Sequence, residues 1–293
     1  MHLRYILLAL LMALVWGSNF SVMKVGLEDT YPLVFSALRS LVLFPLLFFI
    51  PKPKTSWKNI FLIGFLIGTV KLPLMLLAIQ WGVPAGLSSV LSQTQVFFTI
   101  LLAVLFYKEH PKLNNWIGML IAFGGIGCIA IQIGGETSYV GLIPILMAAF
   151  SWAIANILTQ HTKKGVDMLQ LTVWFNIVPP LPLMVMAGFV HGWEEVYLNI
   201  LGFSWKTIAT ILYSGFFAGL LGYTIWGTLL KKYPATIVAP FSLLVPVSAL
   251  SFAYIFLHEK PTYLSLLGAL FVILGLILNQ LRFKKKDLDT AGN

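Results

Sequence analysis

Ten times along this sequence a run of some 20 apolar residues appears, the length that carries an α-helix across a ~30 Å hydrocarbon layer. The runs fall at residues 3–23, 31–50, 59–80, 84–107, 113–133, 139–160, 169–190, 207–230, 235–257 and 262–281, parted by short polar or charged breaks. Inside a bilayer each backbone amide must find its partner within the chain, so each run is read as a helix. Composition agrees: 59% of the residues are hydrophobic, 10% are charged and mean hydropathy is +0.90. That is too little charge to cover a soluble domain of 293 residues. The widest gap, 191–206, leaves no room for a soluble module. The expected fold is therefore an all-α polytopic membrane protein with ten transmembrane helices. The first run continues into Trp16-Gly17-Ser18-Asn19-Phe20 without an Ala-x-Ala cleavage site, so it is read as an uncleaved helix rather than a signal peptide. A lone cysteine, Cys128 in the fifth run, excludes an intramolecular disulfide and offers no metal-ligand cluster.

The net charge of +9 is distributed by topology and not as a nucleic-acid footprint. If the N-terminus is inside, the inner segments carry 14 cations: Arg4, Lys52, Lys54, Lys58, Lys108, Lys112, Lys163, Lys164, Lys231, Lys232, Arg282, Lys284, Lys285 and Lys286. The outer segments carry 3: Lys24, Lys206 and Lys260. This positive-inside bias places both termini in the cytoplasm of a bacterial-type inner membrane, with the basic tail lying against anionic headgroups. Arg39 and Lys71 are left over, inside the second and third runs.

Shifting the chain by 150 positions superimposes its halves. Pro84-Ala85 falls on Pro234-Ala235, Ser92 on Ser242, Ala103 on Ala253 and Phe106 on Phe256. Glu109 falls on Glu259, Pro111 on Pro261, Gly118 on Gly268 and Gly125 on Gly275. Matched Pro, Glu and Gly carry weight because each answers a particular backbone or solvation need. Trp16 and Asn19 are echoed at Trp152 and Asn156. The chain thus divides into two five-helix repeats, 1–136 and 137–293. Five spans is an odd number, so the second repeat is inverted, a common transporter design with the site between the repeats.

Trp16-Gly17 with Asn19-Phe20, Pro84-Ala85-Gly86-Leu87-Ser88-Ser89, Glu109-His110-Pro111, Gly118 and Gly124-Gly125 together resemble the EamA branch of the drug/metabolite transporter superfamily. Within it, the Pro-Ala-Gly-Leu stretch followed by Gln93, Gln95 and Phe97-Phe98-Thr99 is most similar to exporters of O-acetylserine and cysteine. The resemblance implies a ten-helix inverted-repeat fold, inner-membrane residence, no cofactor, and export of amino-acid-like metabolites. A drug or toxic-metabolite exporter of the same superfamily is the alternative.

Polar groups within a bilayer usually face a cavity or a partner. Ser88, Ser92, Gln95 and Thr99 are spaced to share one face of the fourth helix, where hydroxyls and an amide suit an amino-acid substrate or, alternatively, close helix packing. Trp16 and Asn19 share a face of the first helix; Trp152 and Asn156 repeat the arrangement in the sixth. Arg39 and Lys71 lie roughly 12 and 13 Å from the outer ends of their helices at 1.5 Å per residue. No acid lies within any run. An unpaired ion at depth costs several kcal/mol, so one or both cations are expected to line a wet cavity and attract a substrate carboxylate. Snorkelling of Arg39, or bonding of Lys71 to carbonyls freed by Pro73, is the competing account.

The missing intramembrane carboxylate argues against the proton-for-cation exchange of small multidrug-resistance proteins and favours facilitated efflux. Glu109 and Glu259, at helix ends, are expected to pair with neighbours such as Lys108 and Lys260. Pro73, Pro240 and Pro246, with Pro45, mark breaks where bending or gating can localise. An intramembrane enzyme would need convergent His, Asp, Glu or Cys at matched depth, whereas His2, His110, His161, His191 and His258 sit at or beyond helix ends. The expected partners are a carboxylate-bearing small molecule and the lipid bilayer, with no nucleic acid; oligomeric state is not legible.

Overall fold

The structure is a computed structural model that describes residues 1–81, 83, 85–132, 141–257 and 263–280. Glu136, Glu259, Lys260 and the basic tail lie outside the described residues. The described chain is all helix, with no strand. We number its segments α1 (Leu3–Gly26), α2 (Pro32–Phe48), α3 (Trp57–Gln80), α4 (85–107), α5 (Leu113–Gln132), α6 (Leu142–Gln160), α7 (Met168–His191), α8 (Trp193–Leu201), α9 (Trp205–Lys232), α10 (235–257) and α11 (Tyr263–Gln280).

Among the described residues seven of these, α1, α3, α4, α6, α7, α9 and α10, are long and apolar enough to cross a membrane. The other three expected spans hold shorter apolar helices at Pro32–Phe48, Leu113–Cys128 and Leu266–Asn279. The chain is a multi-pass membrane protein, and its large exposed side chains suit lipid contact: Phe48, Phe106, Leu120, Phe189 and Leu270 all face outward.

The remaining segment, α8, occupies the 191–206 connection. Glu194 and Glu195 sit in its first turn, where carboxylates complement the helix dipole, while Trp193, Tyr197 and Leu201 are exposed. Val196 anchors it against Leu33, Val34 and Leu183.

Prolines set where the long helices change pitch. In α2 the α-helical part ends at Leu41, and a 3₁₀ turn carrying Pro45 follows at Phe44–Phe48. Pro179 and Pro180 part α7 into Met168–Phe175 and Pro180–His191, and Asn176 Nδ2 takes up the freed Thr172 carbonyl at 2.7 Å. α10 is assembled from Ala235–Val238, a 3₁₀ turn at Ala239–Leu243 and Leu244–Leu257. Pro240 and Pro246 each fall in the first turn of a new piece, where the missing N–H removes no internal bond. Pro73 likewise follows a π-helical stretch, Phe65–Lys71, that widens the middle of α3. A second π-helical stretch, Ser214–Gly222, widens α9. Both helices start alike: Ser56 and Ser204 cap them, each accepting from the backbone N–H three residues on at 3.3 Å.

α5 and α11 are antiparallel and packed backbone to backbone. A Cβ on Gly118 would lie 2.5 Å from the Gly275 carbonyl oxygen, and one on Gly275 would lie 2.4 Å from that of Gly118. Gly125 approaches the Gly268 carbonyl just as closely. Small residues of this kind let membrane helices touch without side chains between them.

Candidate functional site

A cavity of about 30 Å³, with room for about two waters, lies where α1, α2, α3, α4, α6, α9 and α10 converge. Of the ten residues expected at a substrate site, Trp16, Asn19, Arg39, Lys71, Ser92 and Trp152 line it, and all are buried. Gln93 and Tyr223 join them.

Lys71 is the last residue of the π-helical stretch of α3. Its Nζ donates to the Tyr223 hydroxyl at 2.9 Å and lies 3.6 Å from the Trp152 ring centroid. The rings of Tyr223 and Trp16 flank it at 5.4 and 5.8 Å. The four-carbon stem therefore does not reach backbone carbonyls freed by Pro73; the ammonium ends in a cage of three aromatic faces. The rings brace one another: Trp16 meets Trp152 edge-on at 5.2 Å and lies tilted against Tyr223 at 5.3 Å and Trp226 at 5.5 Å. Trp16 Nε1 is fixed by donation to the Ala218 carbonyl at 3.0 Å.

Arg39 enters from α2 against the π-helical stretch of α9. A Cβ on Gly219 would stand 2.8 Å from its Nη2, and one on Gly222 would stand 2.4 Å from the Trp16 indole nitrogen. Two glycines of α9 thus make the space that the guanidinium and the indole occupy. Asn19 Oδ1 accepts a hydrogen bond from Ser214 on the same stretch.

Three buried polar atoms on this lining have no partner: Arg39 Nε, Trp152 Nε1 and Gln93 Oε1. Native interiors rarely leave such groups unpaired, which makes this cluster the candidate contact for a water or a ligand. Two are donors and one is an acceptor. Among the described residues no carboxylate lies in a membrane-crossing helix to neutralise Arg39 or Lys71.

The other four expected residues lie elsewhere. Gln95, Thr99 and Asn156 form a separate polar knot joining α4, α6, α9 and α10. Asn156 Nδ2 donates to Gln95 Oε1 at 2.9 Å and to Thr99 Oγ1 at 3.1 Å. Its Oδ1 accepts from Trp226 Nε1 at 2.7 Å, and Gln95 Nε2 donates to Ser242 Oγ at 2.8 Å. Ser88 is buried with an unpartnered hydroxyl and does not line the cavity. The serine stripe parts because α4 breaks between Leu91 and Thr94. That break leaves Ser92 and Gln93 beside the cavity and turns Gln95 and Thr99 toward α6 and α10.

Two carboxylates tie the ends of the bundle. Glu109 does not spend its charge on Lys108. Its Oε1 accepts from Gln160 Nε2 at 2.7 Å and from the Ala235 N–H at 3.3 Å, and its Oε2 from the Thr236 N–H at 3.2 Å. The reason is local: α10 begins after Pro234, which has no side-chain acceptor to cap it, so Glu109 supplies the cap from across the bundle. At the other end Asp29 Oδ2 accepts from Ser204 Oγ at 2.8 Å and Thr207 Oγ1 at 3.1 Å, holding the α1–α2 connection to the start of α9. A groove of about 380 Å³ opens beside Glu109, between His110, Lys112, Asn115, Tyr233 and Thr236. Cys128 is a free thiol, and no group of His, Cys, Asp or Glu among the described residues is placed to hold a metal.

Comparison with known proteins agrees with this architecture. The chain is 37% identical over 287 residues to a "probable amino-acid metabolite efflux pump" of Escherichia coli, covering 95% of this chain and 96% of that protein. The protein of the same name from Salmonella typhimurium is 37% identical over 284 residues, with 94% and 95% coverage. A solved crystal structure shares the fold with a TM-score of 0.73 at 11% identity, covering 94% of this chain and 97% of its own. The EamA-like transporter family profile matches twice, at residues 3–131 and 139–281. The chain belongs to the EamA-like transporter family.

Proposed function

We propose that this transporter exports small amino-acid-like metabolites, O-acetylserine and cysteine among them, by alternating access. Lys71 and Arg39 receive the substrate carboxylate, Gln93 Oε1 receives its ammonium group, and Trp16 and Trp152 wall its apolar part. The observation that carries this reading is the pair of buried cations beside one cavity with orphaned donors and no carboxylate. Desolvating each ion costs several kcal/mol. A cation–π cage returns about 2 kcal/mol, so Lys71 is left short of a counter-charge that an anionic substrate group supplies. The names carried by the Escherichia and Salmonella relatives support the same substrate class.

The proposed architecture is ten spans in two inverted sets of five, 1–136 and 137–293, in an inner membrane with both termini cytoplasmic. Two observations support it. The profile matches fall on either side of residue 136. The repeat-matched pairs Gly118/Gly268 and Gly125/Gly275 meet crosswise, 118 with 275 and 125 with 268, as a pseudo-two-fold requires. In that orientation Glu109 ties the cytoplasmic end and Asp29 the outer end, with the cavity between them. With no carboxylate in the membrane-crossing helices among the described residues, the proposed flux is facilitated diffusion down the metabolite gradient. Pro73, Pro240 and Pro246 sit at the changes of pitch and are the proposed hinges.

The test is overexpression followed by mass spectrometry of extracellular amino acids and acetylated derivatives, beside Lys71→Gln and Arg39→Gln. Accumulation that falls at least about tenfold in either variant, the value of one charge-assisted hydrogen bond, supports the reading. Unchanged accumulation and substrate preference in both variants removes the carboxylate role. Dye efflux without metabolite export transfers the protein to the drug-exporter reading.

A further inference from the structure

Three aromatic faces around one ammonium are the arrangement by which proteins bind quaternary ammonium ligands. Here the ammonium belongs to the chain itself. We propose that the Trp16–Trp152–Tyr223 cage is a cation seat that Lys71 keeps filled, and that Lys71 thereby determines specificity by excluding choline-like and other quaternary ammonium compounds.

The geometry is that of an occupied site. Lys71 Nζ lies 3.6 Å from the Trp152 centroid, nearer than to either other ring, so it rests on the indole face. The Tyr223 hydroxyl takes one of its three protons at 2.9 Å. Trp16 and Tyr223 are held by contacts that do not involve Lys71: Trp16 by the Ala218 carbonyl and Trp226, Tyr223 by the edge of Phe175 at 5.9 Å. Trp152 rests on Trp16 at 5.2 Å and Trp226 at 6.3 Å, so apart from the Tyr223 hydroxyl, which Lys71 partners, the cage is held without its occupant. Its walls come from α1, α6 and α9 and its occupant from α3, so the two are separable by a single substitution.

Charge bookkeeping favours exchange of one cation for another. Arg39 lines the same cavity and repels any additional cation while Lys71 is present. When Lys71 is replaced by a short neutral side chain, a quaternary ammonium ion entering the seat restores the original charge. It also recovers the ring contacts, and the volume of the lost stem adds to the 30 Å³ already open. A neutral molecule of the same shape recovers the volume only.

The experiment uses the full chain in nanodiscs and two probes of equal shape, choline and its uncharged carbon isostere 3,3-dimethylbutan-1-ol, read by quenching of tryptophan fluorescence and by thermal stabilisation. The wild type binds neither. Lys71→Ala binds choline more tightly than the alcohol by about tenfold or more, the ratio expected for a desolvated cation–π contact. Lys71→Met, which refills the cage with an uncharged chain, gains nothing. Lys71→Ser, a second short neutral side chain, replaces Lys71→Ala if the latter does not accumulate in the membrane. Equal affinity for both probes would mean an ordinary cavity and would overturn the proposal, as would a folded Lys71→Ala or Lys71→Ser protein that binds neither. The outcome is independent of which metabolite the wild type exports, so failure here leaves the export reading standing, and failure of export leaves the cage standing.

Discussion

Glu109 provides the sharpest test of how the bundle is closed. It accepts from the first two N–H groups of α10 and from Gln160, joining the α4–α5 connection to α6 and α10. A helix cap is worth about 1 kcal/mol, and a carboxylate at a helix N-terminus adds 0.3–1 kcal/mol through the dipole. The Gln160 contact, charge-assisted and half-buried, adds about 1 kcal/mol. Glu109→Ala therefore loses roughly 2–3 kcal/mol of closure, a factor of about 30 to 150 in local opening. Glu109→Gln keeps the shape and one acceptor but loses the charge, for about 1 kcal/mol and a factor of about five. Hydrogen exchange of the full chain in nanodiscs, followed on peptides spanning residues 233–243, reads this directly. The amides of Ala235 and Thr236 should exchange faster in the order Ala, Gln, wild type, while α5 and α11 keep their protection. Unaltered exchange at those two amides in Glu109→Ala would show that the carboxylate does not hold α10.

At the opposite end Asp29→Ala frees Ser204 and Thr207. It should raise exchange at the start of α9 by about tenfold without affecting α10, since only hydroxyl contacts are lost. Gly118→Ala forces the α5 and α11 backbones apart and should destabilise the protein by about 1–3 kcal/mol in a thermal melt, whereas Gly124→Ala, with nothing within 4 Å of its added Cβ, should leave the melt unchanged. Asn156→Leu orphans Trp226 Nε1 and removes the amide donor from Gln95 Oε1 and Thr99, which keep only each other at 3.2 Å. It should cost roughly 3 kcal/mol by the same melt, against under 1 kcal/mol for Ser251→Ala on the exposed face of α10.

The helices were legible because bilayer length and apolarity are written residue by residue. That Lys71, Arg39, Trp16 and Trp152 line a cavity was legible too, since a charge or an indole deep in an apolar run has few destinations. The division of the fourth-helix stripe was not. Helical spacing assumes an unbroken 3.6-residue pitch, and the interruption after Leu91 changes which face Gln95 and Thr99 present. The π-helical widening of α3 and α9 escaped for the same reason. A sign of their kinship was nevertheless present: Ser56-Trp57-Lys58 returns as Ser204-Trp205-Lys206, opening the two widened helices identically. Tyr223 was passed over because a tyrosine in an apolar run reads as packing until a cation is seen on its ring. Gln93 was noted within a motif only, and its unpartnered carbonyl is visible in three dimensions alone. Glu109 was assigned to the nearest lysine in sequence, while the unmet need lay at the start of α10.

The two buried cations have one more consequence, for what the closed protein must not conduct. A carrier with aromatic walls and a small hydrated centre risks letting protons hop along transient water. Fixed positive charge at that centre raises the electrostatic barrier for hydronium and metal cations, the principle by which selective pores exclude them. On the proposed reading, Lys71 and Arg39 insulate as well as recognise, and a variant lacking both should leak protons in liposomes even where it no longer moves a metabolite.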